Sequence, residues 1–292
     1  MKKLSIGRRC FFFTHIDKKV NHERRSFGGW VRLSQSKEKR PGAAGATLPV
    51  VGADIAMKNS KKPNKPAKTD TYRRPAKSRA TRIPTPKSRL SGRERVVGLT
   101  SVAREPREFR CESLLEGSVL HLLLARDDVL DIWEQPPRFR YIGPDGRPRW
   151  SYPDFLIWLT SGLKVYAQIK PAEIVERSNF REELECMRRD MPLEYADEIV
   201  LITDRSFAAY EARNARRLNQ FLSIEEADAD ADIAGRLRAL VGTTSIADLI
   251  DGAPDRGAAF RATFRAIYSG RAKPVAEGDI TPQSVIVKGE IA

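Results

Sequence analysis

The sequence predicts an α/β protein in which a mixed sheet is flanked by helices and followed by a mostly helical C-terminal region. Residues 112–203 alternate between helical and strand-like apolar patterns, in the order helix, three strands, helix, strand. Residues 228–268 repeat apolar side chains at helical spacing. Residues 1–100 are strongly basic and show neither pattern clearly, which separates them from the part expected to fold.

Charge is distributed unevenly along the 292 residues, whose formal net charge is +14. Residues 1–100 hold 26 basic and 6 acidic side chains (net +20), whereas residues 101–292 hold 26 basic and 32 acidic ones (net −6). This division argues against a uniformly basic nucleic-acid coat protein. The three cysteines, Cys10, Cys111 and Cys186, are too far apart for a zinc finger or a disulfide scaffold. Because no apolar run could span a membrane and the start of the chain is a poor signal peptide, we expect a cytoplasmic protein.

The basic residues concentrate in segment 58–95, which is rich in Lys, Arg, Pro, Ser and Thr. Such a segment buries too little apolar surface to order itself, so residues 1–100 are predicted to form a largely disordered arm. The arm is either a solubilising linker or an electrostatic contact to DNA phosphates, and its charge favours DNA. Met57 directly precedes this segment, which suggests the hypothesis that the native chain starts there.

A helix with a broad buried face is predicted from Glu112 onward, since Leu115, Val119 and Leu122 recur at helical spacing. Glu116 lies beside this apolar face, where a carboxylate is costly unless a positive group meets it. It is either an exposed flanking residue, a partner for an arginine, or a metal ligand. Glu112, one turn earlier, is its rival for the last role.

Three strand-like runs follow this helix, separated by turn signals: Arg138–Ile142, Arg149–Leu159 and Leu163–Lys170. A helix is predicted from the spacing of Phe180, Leu184, Met187 and Met191, and then a buried strand over Glu198–Thr203. Because strand side chains alternate, Gln168 and Lys170 share one face of the third run.

Pro153-Asp154 followed by Gln168-Ile169-Lys170 resembles the PD-(D/E)-x-K nuclease superfamily, with Gln in place of the usual acid. Such spacing lets Glu116, Asp154 and Gln168 converge on a hard divalent cation, with the backbone carbonyl of Ile169 as a further ligand. Lys170 would orient or activate the attacking water. The alternative is an ordinary hairpin with Lys170 in solvent, because this pattern also arises by chance.

A closer resemblance, to the TnsA-like endonuclease subunit of heteromeric transposases, covers residues 116–206. It is carried by the Glu116 helix and by four further motifs: Val129-Leu130-Asp131-Ile132 with Glu134-Gln135, Asp154-Phe155-Leu156, Gln168-Ile169-Lys170-Pro171-Ala172, and Ile202-Thr203-Asp204. That family has Gln before x-Lys, and its spacing favours Glu116 over Glu112 as the catalytic glutamate.

The resemblance implies a restriction-endonuclease-like domain over residues 101–206 that uses Mg²⁺, for which Mn²⁺ can substitute. It implies cleavage of one strand, on the 5′ side, at the double-stranded transposon ends. A DDE-type transposase subunit and an AAA+ ATPase regulator are the implied partners. Two rival hypotheses stay open: a stand-alone restriction or repair nuclease, and a non-catalytic adaptor that bridges DNA and the ATPase.

Residues 207–292 are predicted to form a separate C-terminal domain. Apolar residues at helical spacing are Ile233, Leu237, Leu240 and Val241, and then Phe260, Phe264, Ile267 and Tyr268. Thr244-Ser245 is a candidate cap for a short helix between them, and the run 284–288 closes the chain. Three helices and a hairpin resemble a winged helix, which is the kind of second domain that the family has. Arg261 and Arg265 are expected on its solvated face, or otherwise in contact with phosphate or protein.

Overall fold

The structure, a computed structural model, describes residues 74–82, 94–99 and 106–290. Its first elements, up to the last strand of the main sheet, are β1 (Glu94–Gly98), β2 (Arg107–Cys111), α1 (Leu114–Leu124), β3 (Val129–Glu134), β4 (Phe139–Ile142), β5 (Pro148–Ser151), β6 (Phe155–Leu159), β7 (Lys164–Ile169), α2 (Ala172–Arg177), α3 (Phe180–Asp190) and β8 (Glu198–Ile202). This order agrees with the α/β class expected from the sequence.

The main sheet has four strands in the order β3-β6-β7-β8. The first three are antiparallel, and β8 runs parallel to β7, so the sheet is mixed as predicted. β4 and β5 form a separate antiparallel hairpin. Phe139 and Tyr141 of that hairpin share a core with Tyr166 of β7 and with Phe180 and Leu184 of α3. The predicted apolar face of α3 therefore packs against both the hairpin and the sheet.

The second predicted run, Arg149–Leu159, does not form one strand. β5 pairs with β4, β6 pairs with β3 and β7, and residues 152–154 separate them. Pro153 has no N–H to donate to a ladder, which favours a break at this point. The break places Ser151 in the hairpin and Asp154 beside the main sheet, although they are only three residues apart.

Two parts of the expected arm, residues 74–82 and 94–98, are folded against the rest of the chain. β1 pairs with β2 along its length, and Ala76 pairs with Arg107. Ser78 and Arg79 donate hydrogen bonds to the buried carboxylate of Glu134. These pairings satisfy backbone and side-chain groups that composition alone suggested would stay solvated. The other residues of the arm, including Met57, lie outside the described residues.

A second apolar core lies in the C-terminal part, which contains α4 (Ala209–Phe221), α5 (Ala227–Ala239), β9 (Thr243–Ser245), α6 (Ile246–Leu249), α7 (Arg256–Tyr268), β10 (Ala272–Pro274) and β11 (Val285–Lys288). The strands form one antiparallel sheet in the order β9-β11-β10. Ile233, Leu237 and Phe264 are buried in this core as their spacing predicts. The Ser245 hydroxyl accepts from the Asp248 N–H and caps α6.

Three features of this part differ from expectation. Val241 is 93% exposed, because α5 ends at Ala239 before reaching it. Arg261 bonds Glu226, and Arg265 bonds Glu226 and Asp230, so intramolecular ion pairs replace the expected contact with solvent. Helix α4 was not predicted, since two of its buried positions are polar.

Helix α4 links the C-terminal core to helix α1. Its Leu218 belongs to the C-terminal core, and its Asn219 amide donates to the His121 carbonyl of α1 at 3.1 Å and lies 2.9 Å from His121 Nδ1. Arg216 of α4 and His121 both lie against Glu94 of β1. Among the described residues, no helix is long and apolar enough to cross a membrane.

Two glycine substitutions are expected to change stability in opposite directions. A Cβ at Gly117 of α1 would lie 1.8 Å from Glu94 Oε2, so Gly117→Ala displaces a side chain bonded to Arg216. A Cβ at Gly235 of α5 meets nothing closer than 3.9 Å, so Gly235→Ala should stabilise the helix by about 0.5–1 kcal/mol. In urea unfolding, the free energy of unfolding should decrease by about 1–3 kcal/mol for Gly117→Ala. An increase in this free energy for both variants would contradict the packing around Glu94.

Candidate active site

Asp154 lies where β6 begins beside β7. Its N–H donates to the carbonyl of Ala167 at 2.9 Å, and its Oδ2 accepts from the N–H of Ile169 at 2.7 Å. These two bonds fix both the backbone and the carboxylate against the end of β7. Asp154 is buried, as a residue holding an internal ligand would be.

Glu116 lies in the first turn of α1 and is 6% exposed, so it is not an exposed flanking residue. Its Oε2 accepts from the Glu112 N–H at 2.7 Å, and its Oε1 accepts from the Ser113 hydroxyl at 2.9 Å. The Ser113 oxygen in turn accepts from the Glu116 N–H, which caps the helix. The rival residue, Glu112, pairs instead with Arg82, at 3.2 Å. Glu116 is thus the glutamate held inside, by a capping arrangement that also orients its carboxylate.

The charge of one buried carboxylate, Glu116, disfavours ionisation of the other, Asp154. Burial raises the pKa of Glu116 above its ordinary value. Burial, and then the charge of Glu116, raise the pKa of Asp154 to about 7. The N–H of Ile169 and the cationic Lys170 and Arg82 act in the opposite direction but do not cancel the effect. An additional positive charge at this position would therefore lower the free energy of the folded, ionised state.

Gln168 and Lys170 lie at the end of β7, next to Asp154. Gln168 is buried, and its amide nitrogen donates to Ser151 Oγ at 3.1 Å, which leaves its amide oxygen as the atom able to bind a cation. The ammonium of Lys170 lies 4.7 Å from the centre of the Phe180 ring. Lys170 is half-buried.

Gln135 contacts both carboxylate residues and was missed as a site residue. It has a positive φ of 48° and is fully buried. Its N–H donates to the Asp154 carbonyl at 2.8 Å, and its Nε2 lies 3.5 Å from Glu116 Oε2. Its Oε1 is buried without a hydrogen-bond partner. The Gln135-Pro136-Pro137 sequence signals a break in the chain but not this convergence.

Residues 78–82, part of the expected arm, also lie against the site. The carbonyl of Gln135 accepts from the backbone N–H of Thr81 at 3.1 Å and from its hydroxyl at 2.7 Å. The Arg82 guanidinium lies between Glu112 and the ring of Tyr152, whose centre is 5.3 Å away. This segment therefore positions Gln135 and supplies a positive charge beside the buried acids.

The donor set fits a hard divalent cation. It consists of the carboxylates of Glu116 and Asp154, the amide oxygen of Gln168 and the backbone carbonyl of Ile169, and Mg²⁺ and Mn²⁺ prefer such oxygen ligands. Within the described ranges, no group of three or more His, Cys, Asp and Glu residues could hold a metal. The donor set contains neither a thiolate nor an imidazole, the ligands that zinc most often has in proteins.

No protein-family model matches this chain, and no curated protein matches its sequence.

The pH dependence of stability should depend on Asp154. Its pKa of about 7 in the folded chain exceeds the ordinary unfolded value of about 4, so the folded state loses stability as pH rises through that window. Asp154→Asn keeps an oxygen for the Ile169 N–H and removes the charge. Without divalent cations, we expect this variant to gain about 2–4 kcal/mol over the wild type between pH 4 and pH 7. Urea unfolding of both proteins across this pH range measures the difference in their free energies of unfolding. If these free energies change with pH in parallel, Asp154 does not carry a buried, uncompensated charge.

Proposed function

We propose that this protein is a Mg²⁺-dependent DNA endonuclease subunit of a cut-and-paste transposition system. It cleaves one strand, on the 5′ side, at transposon ends, together with a DDE-type transposase. The observation that carries the proposal is the burial of Asp154 and Glu116 close enough for one charge to raise the pKa of the other, beside Lys170. A protein keeps such a pair when a ligand offsets its cost.

The residues have distinct roles in this proposal. Glu116, Asp154, Gln168 and the Ile169 carbonyl hold the metal ion, which, when bound, stabilises negative charge on the scissile phosphate. The ammonium of Lys170 orients the attacking water and stabilises its developing negative charge. Gln135 and Ile169 donate N–H bonds that keep Asp154 in place. These roles match those implied by the PD-(D/E)-x-K resemblance, with Gln168 in the position of the usual acid.

The arrangement of the C-terminal part supports the TnsA-like assignment. The order α5, β9, α6, α7, β10, β11, with β11 between the other two strands, is compatible with the winged helix that the proposal includes. The mixed sheet of the preceding part is compatible with a restriction-endonuclease-like domain. On this proposal the partners are double-stranded transposon-end DNA, the transposase subunit and an AAA+ ATPase.

Metal binding can be tested apart from activity. Mg²⁺ or Mn²⁺ should raise the melting temperature of the wild type, because a ligand that binds only the folded state stabilises it. The increase should grow as pH rises through about 7, where Asp154 loses its proton. Asp154→Asn should melt at a temperature that neither cation changes, as measured by differential scanning fluorimetry. An equal increase in the variant would show that the cation binds elsewhere.

Cleavage should require Glu116 but not Glu112. Glu116→Gln, Asp154→Ala and Lys170→Ala should each lower Mg²⁺-dependent nicking of transposon-end DNA by at least about 100-fold. Glu112→Gln, the matched control four residues earlier, should retain it. The measurement is strand-resolved cleavage with the transposase and ATPase present. Retained cutting by pure Asp154→Ala would defeat the assignment, and cutting by the wild type alone would favour a stand-alone nuclease.

A further inference from the structure

The β4–β5 hairpin has two different faces. Phe139, Tyr141 and Ser151 point inward and are buried. The outer face, formed by Arg138, Arg140, Trp150 and Tyr152, is exposed, although Trp and Tyr are costly to leave in water. Trp150 lies directly opposite Arg140 in the register of the two strands. This combination of large rings and cations on one exposed face is not explained by packing.

The rings hold the two guanidinium groups by their flat faces. Arg138 lies 4.1 Å from the centre of the Trp150 ring and donates a hydrogen bond to the Tyr152 hydroxyl at 3.0 Å. Arg140 lies 5.7 Å from the same Trp150 ring. A stacked guanidinium is ordered while its N–H edge stays free to bind a planar or tetrahedral anion. These arginine side chains therefore lose less conformational entropy when they bind a ligand than free arginine side chains would.

Neither of these arginines has a carboxylate partner in the described part of the chain, whereas the hairpin's other two arginines do. Arg147 and Arg149 both pair with Asp145, and Arg149 also pairs with Glu183. The nearby carboxylates of Asp145 and Glu183 therefore pair with Arg147 and Arg149 and not with the arginines of the outer face. Arg138 and Arg140 are left as uncompensated positive charges next to exposed rings, in a part of the chain whose net charge is negative.

The outer face is also close to the candidate site. Ser151, at the end of β5, bonds Gln168, and Asp154 follows two residues after Tyr152. Arg82, which pairs with Glu112 beside Glu116, lies over Tyr152. A chain of contacts thus links the exposed rings with the residues proposed to hold the metal.

We propose that the outer face of the β4–β5 hairpin binds the sugar–phosphate backbone of the DNA next to the bond that is cut. Arg138 and Arg140 contact two phosphates, and Trp150 and Tyr152 hold their guanidinium groups in position. This inference rests on the proposed nuclease function and adds where the substrate backbone lies. We infer DNA as the ligand because the face carries two unpaired arginines that can donate hydrogen bonds. These are the groups that bind the phosphates of a polyanion.

The test uses the full chain carrying Asp154→Ala, so that binding is measured without cutting. Anisotropy of a fluorescent duplex is recorded from about 50 to about 200 mM salt, and each phosphate that the protein neutralises adds about 1 to the slope of log affinity against log salt. Arg138→Ala with Arg140→Ala should lower that slope by about 2. Arg213→Ala with Arg256→Ala, an equal change of charge at exposed arginines that pair with carboxylates, should leave it unchanged.

The role of the ring has its own pair of variants. Trp150→Ala should weaken duplex binding by about two- to fivefold, and Trp150→Phe, which keeps an aromatic face under Arg138, should restore most of the affinity. Equal weakening in both variants would show that Trp150 does not act by stacking.

The results separate this inference from the function on which it rests. A wild-type salt slope and affinity in the Arg138/Arg140 double variant would overturn the hairpin as a DNA surface, even if the wild type cuts DNA. It would also indicate that the face serves a protein partner. A second outcome is a lowered slope in the double variant together with a wild type that never cuts DNA, even with Mg²⁺ and both partners present. That outcome would support the DNA-binding surface and reject the nuclease function.

Discussion

Two carboxylates, Asp154 and Glu116, are buried beside each other, and the surrounding structure offsets the free energy that this arrangement costs. The backbone N–H groups of Ile169 and Glu112 and the hydroxyl of Ser113 donate to them. Lys170 and Arg82 supply positive charge at a distance. These groups do not cancel the effect of burial and of the Glu116 charge, which together raise the pKa of Asp154 to about 7.

The same arrangement explains why these elements meet where they do. The end of β7 presents an N–H, an amide and an ammonium within three consecutive residues, and β6 starts opposite them. The first turn of α1 brings the second carboxylate through its own helix cap. Structural and proposed functional requirements therefore coincide at Glu116, since the Ser113 hydroxyl that accepts from its N–H and caps the helix also donates to its carboxylate.

The parts of the site that sequence reasoning identified depend on local regularities. Strand alternation placed Gln168 and Lys170 together, and helical spacing placed Glu116 beside an apolar face. What it missed depends on contacts between distant residues: Ser78 and Glu134 bond across 56 positions, and the convergence of Gln135 on both acids follows from a positive φ in an irregular segment. The sequence pattern does not predict helix α4, because buried Asn214 and Asn219 interrupt the apolar spacing that would indicate a helix.

The segment 74–82 joins the basic N-terminal region to the body of the protein, and it is part of that body. Glu134 is fully buried, and among the described residues its Oε1 accepts hydrogen bonds only from the hydroxyl of Ser78 and the N–H of Arg79. A chain trimmed to begin after Arg82 would lack the donors that Glu134 Oε1 and the Gln135 carbonyl now use, so both groups would have to bond to water instead. The folded part of the chain therefore includes residues 74–82, which composition alone would assign to a tail.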